Sequence, residues 1–138
     1  MGQQQLMLII VTVVIVAIAL AVGYLMFRDS ATASNRDALS NDLANFAIVA
    51  QSYYRLPKVL GGGSFTFDGL TLKMLTSRSK NPNGTYVLTP DPVGGGPASI
   101  TLTAVGVETG EDGVNPVKLT LDIWPDSVKL RTGPGDEN

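Results

Sequence analysis

Glu108, Glu111, Asp112 and Asn115 crowd oxygen donors into one loop, Glu-Thr-Gly-Glu-Asp-Gly-Val-Asn. Carboxylate and amide oxygens suit a hard cation such as calcium, but their spacing departs from the EF-hand pattern, so a solvated acidic turn is the favoured reading and no metal is expected. Asn83-Gly84-Thr85 fits an N-glycosylation sequon in a surface turn, which makes Asn83 a candidate acceptor on a short match. The chain has no Cys and no His. Thiol nucleophiles, the usual zinc sites and imidazole acid-base chemistry are therefore excluded. There is no nucleophile elbow, P-loop or dinucleotide fingerprint, so the reading is not an enzyme and needs no cofactor.

The 138 residues carry 10 basic and 12 acidic side chains, a net charge of -2 with no basic stripe, and no specific nucleic acid is expected. None of these charges precedes Arg28, while 13 of the 15 glycines and all 8 prolines lie at or beyond Pro57. Three zones follow: an uncharged apolar start, a middle nearly free of breakers, and a breaker-rich end. From Leu6 to Phe27 the 22 residues have Thr12 as the only clearly polar side chain. At ~1.5 Å per residue a helix over this run spans the roughly 30 Å hydrocarbon core of a bilayer. It is too long for a signal-peptide core and lacks a basic start. Arg28 and Arg36 adjoin Asp29 and Asp37, so the charge bias gives little orientation; the β-rich remainder reads as an exported head.

The helix does not stop where the charges begin. Leu39, Leu43, Phe46, Ala50 and Tyr53 recur at helical steps and form one apolar stripe, the expected surface for packing against a sheet. Leu56 before Pro57 marks the end. Gly23 is the expected soft point, since glycine inside a helix costs ~1 kcal/mol relative to alanine.

The last zone predicts a small antiparallel sheet. Phe65, Phe67, Leu70 and Leu72 flank Asp68-Gly69, a two-residue hairpin signal. Tyr86 to Thr89 is a short strand; Ile100, Leu102 and Ala104 alternate with threonines, and Val105 and Val107 switch parity, predicting a bulge near Gly106. Val117, Leu119, Leu121 and Ile123 give the clearest strand, and Pro125-Asp126 turns the chain into Val128 and Leu130. Ile48, away from the main stripe, and Trp124, on outward parity, are candidate subunit contacts.

Gly2-Gln3-Gln4-Gln5-Leu6 before the apolar run, the helix exit Ala50-Gln51-Ser52-Tyr53-Tyr54-Arg55-Leu56-Pro57, the glycine triplet after it and a terminal β-meander together make the chain similar to the type IV pilin-like superfamily. The resemblance implies an α+β, type IV pilin-like fold: one very long N-terminal helix, apolar then amphipathic, packed on a small C-terminal antiparallel sheet. It divides the chain into a leader remnant (1–2), a transmembrane or filament-core helix (3–27), its amphipathic continuation (28–56) and a β-sheet head (57–138). It also implies an inner-membrane precursor, cut by a prepilin peptidase between Gly2 and Gln3, that an assembly platform builds into an extracellular helical filament of identical subunits on the cell surface. Leu6, Ile9, Val13, Val16, Leu20, Gly23 and Phe27 would pack the filament core.

Two features depart from the pattern. The leader has no basic residue, and the early glutamate common in bacterial type IV pilins is replaced by Met7 and apolar neighbours. An unpaired ammonium in an apolar bundle costs several kcal/mol. Either Gln3 to Gln5 supply carbonyls to the amine, or N-terminal Gln3 is modified, by methylation or by cyclising to pyroglutamate; simple helix capping by the glutamines is the alternative. Besides a major filament subunit, a minor pilin or type II secretion pseudopilin and a non-polymerising bitopic envelope protein fit the same architecture.

Overall fold

The computed structural model describes residues 2–110 and 112–133. One helix, α1 (Gly2–Arg55), runs through 54 residues without interruption, a rod of about 81 Å. Arg28 interrupts nothing: the helical hydrogen bonds continue from the uncharged half into the polar half because no proline, and after Gly23 no glycine, intervenes. Thr12 returns its hydroxyl to the carbonyl of Leu8 at 2.8 Å, which satisfies the one polar side chain of the apolar run.

Pro57 ends the helix, and a 3₁₀ turn (Lys58–Leu60) reverses the chain. The last carbonyls of a helix have no partners of their own. Here the returning backbone supplies them: Gly63 N–H donates to Tyr53 (2.8 Å), Ser64 N–H to Leu56 (2.9 Å) and Phe65 N–H to Tyr54 (2.7 Å). Gly63 is required there, since a Cβ would strike the Thr66 carbonyl.

The Asp68-Gly69 hairpin does not form. Leu70 N–H bonds the Phe67 carbonyl at 3.1 Å, so a turn exists. Only Gly69 has positive φ, whereas a type I′ hairpin turn needs it at both central residues. Gly69 and Leu70 instead bond Val93, at 2.8 and 2.9 Å, and Phe67 and Leu70 are both buried. Leu72, expected in a strand, begins a short helix, α2 (Leu72–Leu75).

Four strands follow: β1 (Gly84–Thr89), β2 (Ile100–Thr109), β3 (Pro116–Ile123) and β4 (Val128–Thr132). They form an antiparallel meander in sequence order. The expected bulge is present, with β2 and β3 losing register between Val105 and Thr109. Its consequence differs from simple parity switching: Val105 is half-buried and Val107 points to solvent. The first three strands bury alternate side chains, Tyr86 and Leu88, Ile100, Leu102 and Ala104, Val117, Leu119 and Leu121, against α1, whereas β4 is an edge strand with Val128 and Leu130 exposed. On the helix, Leu39, Leu43 and Ala50 are fully buried as expected. Phe46 and Tyr53 only flank this core, and Ala47 enters it instead, because its small side chain lets the sheet approach the helix backbone.

Candidate assembly surfaces

Every large apolar side chain expected in the filament core, Leu6, Ile9, Val13, Val16, Leu20 and Phe27, is exposed in the single chain. Gly23 lies among them with open space at its Cα, and Gly2 and Gln3, the expected cleavage pair, are exposed helical residues. Among the described residues, no part of the head covers the apolar span. The span thus has the length and composition for a bilayer and no intramolecular partner among those residues.

The head begins one turn beyond the charge boundary. Thr32 and Asn35 are buried polar residues on the face of α1 that continues the Leu39 stripe. Thr32 Oγ reaches the carbonyls of Arg28 (3.1 Å) and Thr109 (2.8 Å). Asn35 Nδ2 donates to the Asn83 carbonyl at 2.8 Å, and its Oδ1 accepts the Glu108 N–H at 3.4 Å. Asn35 occupies the place a Cβ on Gly106 would need, so the bulge glycine admits the amide. Together these groups tie the β2–β3 hairpin to α1 at the level of Arg28.

One turn beyond Leu39, Asp42 collects three donors on one oxygen. Asn81 Nδ2 and Asn83 Nδ2 each approach Oδ2 at 2.9 Å, and the Tyr86 hydroxyl donates to the same atom. Burial pushes the Asp42 carboxyl up, but the hydrogen bonds from Tyr86, Asn83 and Asn81 together outweigh it and hold the carboxyl below its ordinary value. The same burial and the facing carboxylate push the Tyr86 hydroxyl well above the usual tyrosine range. Phe46 closes the site with an edge-to-face contact on Tyr86 at 5.0 Å. In this arrangement the amide nitrogen of Asn83, the glycosylation candidate, faces the helix.

At the far end, Gln51 Nε2 donates to the Trp124 carbonyl (3.1 Å) and Arg55 to the Pro125 carbonyl (3.4 Å), fastening the β3–β4 turn. Trp124 is half-buried rather than fully outward, because the turn folds back toward α1. Ile48 stands 66 % exposed on the outer face, with Val49 beside it. In the acidic loop, Asp112 accepts the Val114 and Asn115 N–H groups at 3.0 Å each and Asn115 Nδ2 at 2.7 Å. These bonds, the Val114 N–H first, hold its carboxyl below the ordinary range and spend its oxygens inside the loop. Glu108 is exposed, Glu111 lies outside the described residues, and no cluster of metal-ligating side chains occurs among those described.

Thr32, Asn35, Asp42 and Gln51 were not singled out by the apolar pattern. Thr32, Asn35 and Asp42 lie at helical spacing from Leu39, so polar residues interrupting an otherwise apolar face were the available signal. Compared with protein-family models, curated proteins and solved structures, the chain has no match in any of the three.

Proposed function

We propose that the chain is a structural subunit of a type IV pilus-like filament, held in a membrane before assembly and displayed outside the cell afterwards. The observation that carries this reading is the single helix crossing the charge boundary at Arg28, with its apolar half uncovered by any described residue of its own head. A separable anchor needs no rigid connection to the domain it carries. A rod that transmits force does, and what supports this reading is that the outer half of α1 is tied to the head by Thr32 at Thr109, Asn35 at Asn83 and Asp42 at Tyr86.

Assembly on this reading exchanges lipid for protein around the apolar half. Lipid tails are as apolar as the side chains they contact, so association comes from close packing repeated over many copies. The head forms the exterior. Prepilin peptidase processing between Gly2 and Gln3, an assembly platform and an inner-membrane precursor belong to the same proposal, as does a role that is structural and not catalytic.

Electron microscopy of sheared cell-surface material, with N-terminal peptide mapping of the chain in it, tests the reading. Fibres containing a chain that starts at Gln3 are expected. Fibres lacking the chain, together with an unprocessed terminus, overturn it.

A further inference from the structure

Asn83-Gly84 is the chain's single Asn-Gly pair. In such a pair the backbone nitrogen after the asparagine can attack the asparagine's own side-chain amide, since glycine has no Cβ to obstruct the approach. The fold calls for both residues. A Cβ on Gly84 would strike the Val105 carbonyl on the neighbouring strand and stand 2.9 Å from Leu39 Cδ2, so a side chain there would force sheet and helix apart. Asn83 meets α1 twice: its Nδ2 donates to Asp42 Oδ2 at 2.9 Å, and its carbonyl accepts Asn35 Nδ2 at 2.8 Å.

The same contacts hold the attacking and attacked groups apart. Gly84 N–H donates to Asn81 Oδ1 at 3.0 Å and to the Asn81 carbonyl at 3.2 Å, while the Gly84 carbonyl accepts the Asn81 N–H at 2.9 Å. Ring closure needs the Asn83–Gly84 peptide to swing toward the Asn83 amide, which breaks the bonds to Asn81 and Asn35 and lifts the amide from Asp42. Gly84 is buried and Asn83 half-buried, so little room exists for that swing. Asp42 offers the leaving amide no proton, because its carboxyl is held below the ordinary range and is ionised at neutral pH.

We infer that Asn83 is a deamidation site gated by the head: protected while Asn35, Asp42 and Asn81 clamp the turn, reactive once the turn leaves α1, and unable to clamp again after reaction. The Gly84 nitrogen bonds to Asn83 Cγ, the Cγ–Nδ2 bond breaks, and the amide nitrogen leaves as ammonia with the Gly84 hydrogen. Water then opens the cyclic imide at either carbonyl, giving aspartate or isoaspartate. Either product sets a carboxylate beside Asp42 where the native chain supplies a donor, and like charges sharing a site repel. Isoaspartate also reroutes the backbone through the side-chain methylene and removes the peptide carbonyl that Asn35 bonds. An opening of the head is thereby recorded covalently. The inference concerns the single chain and stands apart from the filament reading.

The purified full-length chain, incubated in detergent at neutral pH, tests this by mass spectrometry of the peptide carrying residues 81–84, with enzymatic methylation to detect isoaspartate. Wild-type chain in guanidinium chloride sets the unprotected rate. Folded wild type should deamidate at least about tenfold more slowly, since reaction waits for local opening. Asn81→Ala, which removes one acceptor of the Gly84 N–H and leaves the Asp42–Tyr86 bond, should raise the folded rate about fivefold, and Asp42→Ala about tenfold or more. Thr32→Val, which loosens the head away from this turn, should stay at the wild-type rate. Trp124 fluorescence shows whether each variant is folded during incubation; if Asp42→Ala is not, Asn81→Ala decides, and the comparison of folded with unfolded wild type needs no variant. Equal rates for folded and unfolded wild type, or an Asn81→Ala rate no higher than that of Thr32→Val, overturn the gate. Thermal melts decide whether the product resists clamping. Asn83→Asp should melt below Asn83→Ala at neutral pH, and equal melts overturn that part of the inference.

Discussion

Asp42 on α1 and Tyr86 on β1, 44 positions apart, share a hydrogen bond that fixes the sheet's first strand to the rod. Asn81 and Asn83, in the turn before β1, donate to the same carboxylate oxygen. Asn81 Oδ1 in turn accepts the backbone N–H groups of Asn83 (2.9 Å) and Gly84 (3.0 Å), so the carboxylate positions a turn and not just a side chain. Removing the acceptor has a different cost from removing one donor, because the former strands three.

Asp42→Ala is expected to destabilise the head by about 2 kcal/mol, while Tyr86→Phe, which keeps the ring against Phe46, should cost about 1 kcal/mol. For a head of this size that is a difference of several degrees in Tm. Thermal melts in detergent, followed by the fluorescence of Trp124, the chain's single Trp, check the order. Equal losses would mean that the Asn81 and Asn83 bonds contribute nothing.

The same carboxyl sets an acid limit. Its pKa is lower folded than unfolded, where it is near 3.9, so its stabilisation is fully present above about pH 5 and disappears as pH falls through the folded value. The native head should hold its Tm from neutral pH to about pH 5 and lose it below. Asp42→Asn should start lower and fall less steeply. Melts at matched ionic strength distinguish this from the contribution of Asp112, whose carboxyl is also held low.

Leu43 and Ile48 lie on opposite faces of α1 little more than one turn apart. Leu43→Ala opens a cavity in a fully packed core and should cost 2–5 kcal/mol, on the order seen for buried leucines. Ile48→Ala should change head stability by less than about 0.5 kcal/mol. If neighbouring copies cover that face, Ile48→Asp leaves the melt unchanged and reduces the amount of sheared filament. A melt lowered as much as by Leu43→Ala would place Ile48 in the head's own core.

Thr32→Val removes the hydroxyl that reaches the Thr109 carbonyl while keeping the side-chain shape. The expected loss is about 1 kcal/mol, localised to the β2–β3 hairpin. Hydrogen exchange over 107–115 should accelerate while β1 and the helix stay protected. Uniform acceleration across the sheet would mean that the tether stabilises the whole head.

Gly23 has no atom near the position a Cβ would take. Gly23→Ala should therefore stiffen α1 locally, adding up to ~1 kcal/mol of helix stability. Slower amide exchange over residues 20–27 in detergent is the expected signature. Reduced assembly by the same variant would show that copies approach each other closely at this glycine.

Features that depend on neighbours along the chain are legible in the order of residues. The uncharged run, the absence of breakers to Leu56 and the steps from Leu39 to Ala50 specify one long helix with an apolar half and a packing stripe, because helical periodicity is local. Alternation along Val117 to Ile123 and the parity change after Ala104 likewise specified a strand and a bulge. Features that depend on partners far away in the chain emerge only when the head folds against α1. Asp68-Gly69 carries a hairpin signal, yet Val93 captures the backbone beside it and the flanks never pair. Thr32, Asn35 and Asp42 look solvent-facing in a local reading because they are polar. They enter the helix–sheet contact because Thr109, Asn83 and Tyr86, each more than 40 positions distant, bring partners that make their burial favourable.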